Sequence, residues 1–263
     1  MSDKAPELET DTKKPEPEQE SGKMSFLEHL DELRKRIVHI VVYVSVGFLV
    51  CIFFSKPIYD FLALPITRAL PKGAKLVFTK PTDPFTLYMK VALLAGIFLT
   101  LPFILFEVWK FIAPGLYSKE KRYIVPFLVV SMTLFLGGAA FCYYVVLPPA
   151  FQVLIQLGSS FTPMININDY LDLTNRMLLG FGAVFEMPVL AAFLSMFGLV
   201  TAGFLLRKFK YALIGIVALA AIVSPTGDAY SLLLWTAPMI LLYFLSIGVA
   251  AIFGRRRKAK GLA

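Results

Sequence analysis

The amino-acid sequence predicts an all-α integral membrane protein with six transmembrane helices and structured extracytoplasmic loops. Hydrophobic residues make up 57% of the 263 residues and the mean hydropathy is +0.71, whereas soluble domains are less apolar and carry more charge. Several apolar stretches reach the length of about 20 residues that a helix needs to cross a bilayer. Glu107 and Glu186 lie inside such stretches, where a carboxylate is costly and usually marks a functional site.

Six apolar segments are the candidates for the transmembrane helices. They cover residues 37–54, 85–112, 123–147, 170–199, 211–223 and 232–253. The fifth has about 13 residues, which form roughly 20 Å of helix, so it needs a thinned bilayer or cover from neighbouring helices. In an alternative arrangement, the fifth and sixth segments form a re-entrant pair.

The positions of Lys and Arg predict that both termini are cytoplasmic, because basic residues are enriched in cytoplasmic loops. In this orientation the cytoplasmic side has basic residues at 34–36, 110–122, 207–210 and 255–258, whereas the outside segments 147–170 and 224–230 have none. The first outside loop is an exception, with Lys56, Arg68, Lys72, Lys75 and Lys80. Prolines in the outside loops indicate ordered turns.

The composition divides the chain into three regions. Residues 1–23 are acidic and Pro-rich, which predicts a disordered tail, and they lack the basic region and cleavage site of a signal peptide. Residues 24–253 form the membrane domain, and residues 254–263 form a basic cytoplasmic tail. The net charge of +8 does not indicate nucleic-acid binding, because the basic residues are scattered between the apolar spans.

The sequence predicts neither enzyme activity nor a cofactor. It contains no phosphate-binding loop, dinucleotide fingerprint or HExxH zinc motif. Cys51 and Cys142 lie inside predicted spans, where small apolar packing is their ordinary role, so we expect no disulfide. His29 and His39 are too isolated from other ligand types to predict a metal site.

The first polar motif is HLDELRKR at residues 29–36, directly before the first span. Leu30, Leu33 and Ile37 recur at helical spacing, which predicts an amphipathic helix that enters the membrane. Glu32 and Arg36 are four residues apart and can form an ion pair. Alternatively, Glu32 is a carboxylate held at the membrane surface to receive a cationic partner.

The second motif is FEVWKFIAPGLYSKEKR at residues 106–122. The Pro-Gly pair inside it predicts the end of the second helix, and Trp109 has an interfacial aromatic belt as its ordinary role. Glu120 stands near the start of the third helix, where a carboxylate suits the helix dipole. Capping and binding function are equally compatible with Glu120.

The third motif is FGAVFEMPV at residues 181–189. Pro188 predicts a kink in the fourth span, so Glu186 sits beside a bend and faces a groove or a neighbouring helix. The apolar surroundings disfavour the charged form of Glu186, and a neutral carboxyl can donate a hydrogen bond. Such a group can serve a partner helix or only internal packing.

These motifs, followed by SPTGD at residues 224–228, resemble those of the TatC family in the same order over residues 24–257. TatC proteins are the core membrane subunits of the twin-arginine protein translocase. The resemblance implies six spans with both termini cytoplasmic in the bacterial cytoplasmic (inner) membrane. It also implies binding of twin-arginine signal peptides of folded precursors, assembly with the single-span subunits TatA and TatB, self-association, and transport driven by the protonmotive force.

The resemblance assigns four residues to signal-peptide binding. Glu32 and Glu120 match the carboxylates of the family that bind the signal peptide, and Arg34 and Phe111 belong to the same recognition surface. Two arginines need two fixed carboxylates, because guanidinium–carboxylate pairing is charge-assisted and can be bidentate.

Four further residues complete the expected sites. Glu186 matches the buried acidic residue that engages partner helices, and we place Glu107 with it as a second intramembrane polar residue. Pro65 matches a proline of the first outside loop. Asp228 matches a polar residue of the last loop, although SPTGD departs from the commoner proline-proline-aspartate form.

An alternative function from another class is a proton- or cation-coupled transporter of small solutes, with Glu107 and Glu186 as relay groups. Such a transporter is expected to have repeated broken helices and a polar site at the bilayer midplane. The sequence has one proline-kinked acidic site, and its most specific motif falls on a cytoplasmic loop.

Overall fold

The structure, a computed structural model, describes residues 26–112, 124–223 and 229–259. The predicted tail 1–23 and the predicted site residues Glu120 and Asp228 lie outside these ranges. Within them, regular secondary structure is helical apart from one isolated β-bridge between Val77 and Asn166. The predicted all-α fold class is therefore confirmed.

The described part of the chain contains eleven α-helices. In chain order they are α1 Phe26–Cys51, α2 Ser55–Leu62, α3 Leu64–Ala69, α4 Asp83–Ile112, α5 Ile124–Phe141, α6 Leu147–Leu157, α7 Ile167–Val184, α8 Met187–Met196, α9 Ala202–Arg207, α10 Phe209–Val223 and α11 Ala229–Ala259. A 3-10 turn at Ile52–Phe54 joins α1 to α2, and a π turn at Cys142–Val146 joins α5 to α6.

Six apolar helical segments in the described ranges confirm the six predicted spans. Five are long enough to cross a membrane, and they are His29–Ala69, Asp83–Ile112, Val125–Leu157, Ile167–Met196 and Trp235–Gly254. The remaining one is the shorter Phe209–Ile222, as predicted for the fifth span. Because α11 has 31 residues, more than the roughly 20 that a crossing needs, its length favours a full crossing over a re-entrant pair.

Large apolar side chains lie on the outer surface of the helices. Phe53 is 83% exposed, Ile214 is 67% exposed and Leu241 is 68% exposed. Contiguous apolar surface of this kind is rare on soluble monomers, whereas in a bilayer it contacts lipid. The outer surface therefore has the character of a multi-pass membrane protein.

The third span extends further than its predicted end at residue 147. The π turn at Cys142–Val146 continues into α6, which runs from Leu147 to Leu157. Pro148 and Pro149 stand in the first turn of α6, directly after the π turn, and the first turn is the part of a helix where proline is best tolerated. The sequence pattern of two adjacent prolines indicates a loop, but the helix changes pitch before them and continues.

The predicted kink near Pro188 is confirmed as a break between two helices. Helix α7 ends at Val184, and α8 begins at Met187 with Pro188 in its first turn. Phe185 and Glu186 form the junction, with the N–H of Glu186 donating to the carbonyl of Ala183 at 3.1 Å. The junction places the Glu186 side chain between helices.

Helices α1 and α4 cross with their backbones in contact. A Cβ atom added to Gly96 would lie 2.6 Å from the backbone nitrogen of Phe48, and one added to Gly47 would lie 2.7 Å from the carbonyl oxygen of Gly96. Small residues at such a crossing let membrane helices approach closely and gain van der Waals contact. The crossing fixes the position of α1 against α4.

Asp83 joins the two long connections at one end of the bundle. Its Oδ2 accepts hydrogen bonds from the backbone N–H groups of Thr79 and Lys80, both at 2.9 Å, and from the side-chain amide of Asn166 at 3.3 Å. The backbone of Val77 pairs with Asn166 in the isolated β-bridge. The loop before α4 and the loop before α7 are thus ordered, as predicted for these connections.

We expect Gly96→Leu to lower the thermal stability of the purified protein, because its side chain cannot fit between α1 and α4. Overpacking of this kind usually costs about 1–3 kcal/mol. The measurement is the temperature at which half of the detergent-solubilised protein remains monodisperse. Gly137→Leu is the matched control, since nothing lies within 4 Å of a Cβ atom at Gly137. Equal losses in both variants would contradict the close crossing.

Candidate functional site

The buried carboxylate of Glu107 is paired with an arginine from another helix. The Glu107 side chain in α4 is 4% exposed, and its Oε2 accepts a hydrogen bond from Nη1 of Arg36 in α1 at 2.7 Å. Nη2 of Arg36 donates to Oε1 of Glu32 at 3.0 Å. Nδ1 of His39 lies 3.5 Å from the other oxygen of Glu107. The predicted Glu32–Arg36 pair is confirmed, and it belongs to a network that joins α1 to α4.

An aromatic contact lies beside this network. The rings of His29 in α1 and Phe111 in α4 stack with their centroids 4.5 Å apart and an interplanar angle of 20°. Glu32 follows His29 by three residues, so the two side chains lie on one face of α1. The structure thus brings Glu32 and Phe111, two of the predicted signal-peptide residues, to one surface formed by α1 and α4.

Arg34 lies on a different face of α1 from Glu32. Two residues correspond to a rotation of about 200° around the axis of an α-helix. A shallow groove of about 300 Å³ is lined by Arg34 together with Asp31, Lys35, Val38 and His39. His39 lines this groove and also lies next to Glu107, so the groove of Arg34 adjoins the network that contains Glu32.

Glu186 lies beside α5. Its carboxyl group neighbours the Ser131 hydroxyl, and its Oε1 is buried without a hydrogen-bond partner among the described residues. The indole N–H of Trp109 in α4 donates to the same Ser131 hydroxyl at 3.0 Å. Trp109 is 3% exposed, so it packs inside the bundle and does not form the interfacial belt that is its ordinary role.

Glu107 and Glu186 lie in separate polar clusters. Glu107 contacts α1, whereas Trp109, two residues later on α4, contacts Ser131 of α5 and Phe193 of α8. The sequence motifs predict one intramembrane site for both glutamates. The geometry instead puts the Glu107 cluster and the Glu186 cluster on different sides of α4.

Pro65 is buried in the first turn of α3. Because proline lacks an N–H, the carbonyl of Phe61, four residues earlier, loses its helical donor. Tyr143 replaces that donor, with its hydroxyl 2.5 Å from the Phe61 carbonyl oxygen and its ring stacked on the Phe61 ring. The hydroxyl of Tyr170 donates to the neighbouring carbonyl of Leu62. Pro65 therefore marks the α2–α3 junction, where the end of α2 is held by the third and fourth spans.

An ion pair between α4 and α7 is a further feature that the sequence motifs do not indicate. Nζ of Lys90 in α4 lies 2.7 Å from a carboxylate oxygen of Asp172 in α7, and both side chains are about one-third exposed. Both residues fall inside predicted spans, so the criterion that identified Glu107 also applied to them. Their pairing was not predictable, because 82 residues separate them in the chain.

The positions of the His, Cys, Asp and Glu side chains are known in the part of the chain that the structure describes. No three His, Cys, Asp or Glu side chains in it are grouped so that they could hold a metal ion. Cys51 and Cys142 are both buried and free. Glu120 and Asp228 are outside this part, so their positions relative to the other site residues are not described.

The fold and the polar clusters define a class of protein, a multi-pass α-helical membrane protein with carboxylates held between its helices. A family model described as Sec-independent protein translocase protein (TatC) matches residues 28–238. The match covers well over half of the chain, and the chain belongs to the TatC family.

Individual relatives agree over nearly the whole chain. The Sec-independent protein translocase protein TatC of Koribacter versatilis (strain Ellin345) is 48% identical over 240 residues, which cover 90% of this chain and 89% of the relative. That of Aquifex aeolicus (strain VF5) is 33% identical, and the match covers 89% of this chain and 98% of the relative. A crystal structure of the twin arginine translocase receptor TatC superposes with a TM-score of 0.78 at 34% identity, covering 86% of this chain and 99% of that chain.

Tyr143→Phe is expected to lower the thermal stability by about 1 kcal/mol, because the Phe61 carbonyl loses the hydroxyl that donates to it in place of the missing N–H of residue 65. In a Pro65→Ala background the same substitution should cost less, since residue 65 then has an N–H of its own. Melting temperatures of the wild type, both single variants and the double variant measure this coupling. Tyr144→Phe is the control, because Tyr144 is exposed. Equal costs in both backgrounds would refute the proline-based explanation.

Proposed function

We propose that this chain is the receptor and scaffold subunit of the twin-arginine translocase. It binds the twin-arginine signal peptides of folded precursor proteins and organises TatA and TatB for export driven by the protonmotive force. It has no enzyme activity of its own. Family membership and the likeness to a solved twin arginine translocase receptor support this function.

The observation that carries the proposal is that one carboxylate oxygen of Glu32 is paired and the other is not. Oε1 of Glu32 pairs with Arg36, whereas its Oε2 has no hydrogen-bond partner in the described ranges. A buried acceptor without a partner is unfavourable, and a guanidinium group of a ligand would satisfy it. Glu32 therefore receives one arginine of the signal peptide, and Glu120 receives the other.

The surroundings of Glu32 suit a peptide ligand. The stacked rings of His29 and Phe111 offer an apolar surface next to the carboxylate. Lys110 and the other basic residues nearby would repel a cation that did not pair with both carboxylates. Recognition then depends on two arginines at a fixed spacing, and Phe111 contacts the adjacent part of the peptide.

Glu186 is the proposed contact for the partner subunits. The Oε1 atom of Glu186 lacks a hydrogen-bond partner within the described ranges. Glu186 stands at the junction of α7 and α8, where the helix is interrupted. A polar group on a single-span helix can form a hydrogen bond with it, and such contacts contribute about 0.6–2 kcal/mol in membranes. This is enough to bias a weak assembly of TatA or TatB on the scaffold.

The proposed location is the bacterial cytoplasmic (inner) membrane, with both termini cytoplasmic. The distribution of Lys and Arg along the sequence supports this orientation. It puts the α1–α4 surface with Glu32 and Phe111 on the cytoplasmic side, where precursors are made. It puts the Asp83-centred loops and Pro65 on the opposite side, where the loops brace the bundle.

A solute transporter with Glu107 and Glu186 as relay groups is the less supported function. Glu107 is paired with Arg36, and Glu186 neighbours Ser131. The two clusters lie on different sides of α4. A relay needs both carboxyl groups on one continuous polar path, and this separation argues against it.

Glu32→Ala and Glu120→Ala should each weaken photocrosslinking of a twin-arginine signal peptide, because each removes one guanidinium partner. A hydrogen bond to a charged group contributes about 1.5–3 kcal/mol, so losses of at least about tenfold are expected. Asp31→Ala is the matched control, since Asp31 is an exposed carboxylate on the same helix that lies outside the Glu32–Arg36–Glu107 network. Unchanged crosslinking in the Glu32/Glu120 double variant would refute the proposed receptor site.

Glu186→Gln should retain most crosslinking to TatA and TatB, because an amide can also donate a hydrogen bond. Glu186→Ala should lose it, while signal-peptide crosslinking stays largely intact in both variants. Export of a folded reporter is measured in parallel. Ser195→Ala is the control, since the Ser195 hydroxyl is already bonded to the Ala250 carbonyl inside the bundle at 2.8 Å. Equal defects in the Gln and Ala variants would instead indicate that Glu186 acts through its charge.

A further inference from the structure

Arg36 is shared by two carboxylates that stand on different helices. Glu32 and Glu107 are the two carboxylates within hydrogen-bond distance of its guanidinium group. One guanidinium group therefore serves two carboxylates, and neither Glu32 nor Glu107 has Arg36 to itself.

The two contacts of Arg36 differ in strength. Its contact with Glu107 joins two helices and is short, 2.7 Å, with the Glu107 side chain 4% exposed. Its contact with Glu32 spans one helical turn at 3.0 Å, with the Glu32 side chain 15% exposed. A pair of four-residue spacing on one helix contributes little, whereas loss of one partner from a buried pair is costly. Glu107 therefore determines where Arg36 points.

Both Arg36 and Glu32 have unused hydrogen-bonding atoms in this arrangement. Nε of Arg36 and Oε2 of Glu32 are buried and have no partner among the described residues. Guanidinium and carboxylate groups prefer to pair through two parallel hydrogen bonds. Without Glu107, Arg36 would be free to pair with Glu32 in that way and occupy both of its oxygens.

We propose that Glu107 is a positioning residue for signal-peptide recognition, because it holds Arg36 away from Glu32 and keeps Oε2 of Glu32 open to an incoming guanidinium. This inference rests on the proposed function of Glu32. Glu107 itself does not contact the ligand. It neutralises Arg36, so that the negative charge of Glu32 stays available to the peptide.

Binding of a synthetic peptide to the full-length chain in nanodiscs tests the proposal. The peptide carries two adjacent arginines followed by an apolar segment, and a twin-lysine version is the comparison. Glu107→Gln should weaken binding of the arginine peptide by about tenfold, since Arg36 then occupies Glu32. The double variant Glu107→Gln with Arg36→Gln should recover binding to within about threefold of the wild type.

The double variant separates positioning from a structural role. Recovery supports the proposal, since a merely structural defect at Glu107 would persist or worsen when its partner is also removed. Wild-type affinity in Glu107→Gln, or a loss that remains in the double variant, would overturn it. If Glu107→Gln does not fold, the double variant alone is measured. A peptide affinity within about threefold of the wild type supports the proposal, and a loss of about tenfold overturns it.

Two comparisons keep this result distinct from the receptor proposal. Asp172→Asn breaks the other interhelical ion pair, with Lys90, and should leave peptide affinity unchanged. Glu32→Gln should abolish the preference for arginine over lysine. If the wild type binds both peptides equally, the proposed function of Glu32 fails, whereas loss of the rescue with that preference intact disproves only the role of Glu107.

Discussion

Backbone polar groups inside a bilayer need partners within the protein, and the prolines in the spans make this constraint visible. Pro65 frees the carbonyl of Phe61, and the Tyr143 hydroxyl satisfies it. Pro148 is preceded by a π turn, and Pro188 opens a new helix after a break. At these three prolines the span changes pitch, breaks or is tied to a neighbouring helix.

The α1–α4 contact combines close packing with a buried charge pair. Gly47 and Gly96 bring the two backbones together, and the Arg36–Glu107 pair lies along the same contact. A buried carboxylate that loses its partner costs about 3–5 kcal/mol, so the pair holds α1 at one rotation. That rotation turns Glu32 toward the Phe111 surface, which connects packing inside the membrane to the proposed binding surface at its edge.

Part of the candidate site was predictable from residue type and spacing. The i,i+4 spacing of Glu32 and Arg36 indicated their pair, and Pro188 indicated the bend beside Glu186, because both are local effects within one helix. Interhelical partners were not predictable. The partner of Glu107 stands 71 residues earlier in the chain, and the sequence pattern contains no information about which helix faces it.

The sequence by itself determined that the chain crosses a membrane in six apolar helical segments. A helix that crosses the hydrocarbon core must be long and apolar, and the polar motifs separate one such stretch from the next. The short fifth span and the family resemblance were equally evident in it. Only the tertiary structure decided that Trp109 is interior, that α6 continues beyond two prolines, and that Glu107 and Glu186 lie apart. These features depend on which helix faces which, and that is set by close packing and charge pairing between distant segments.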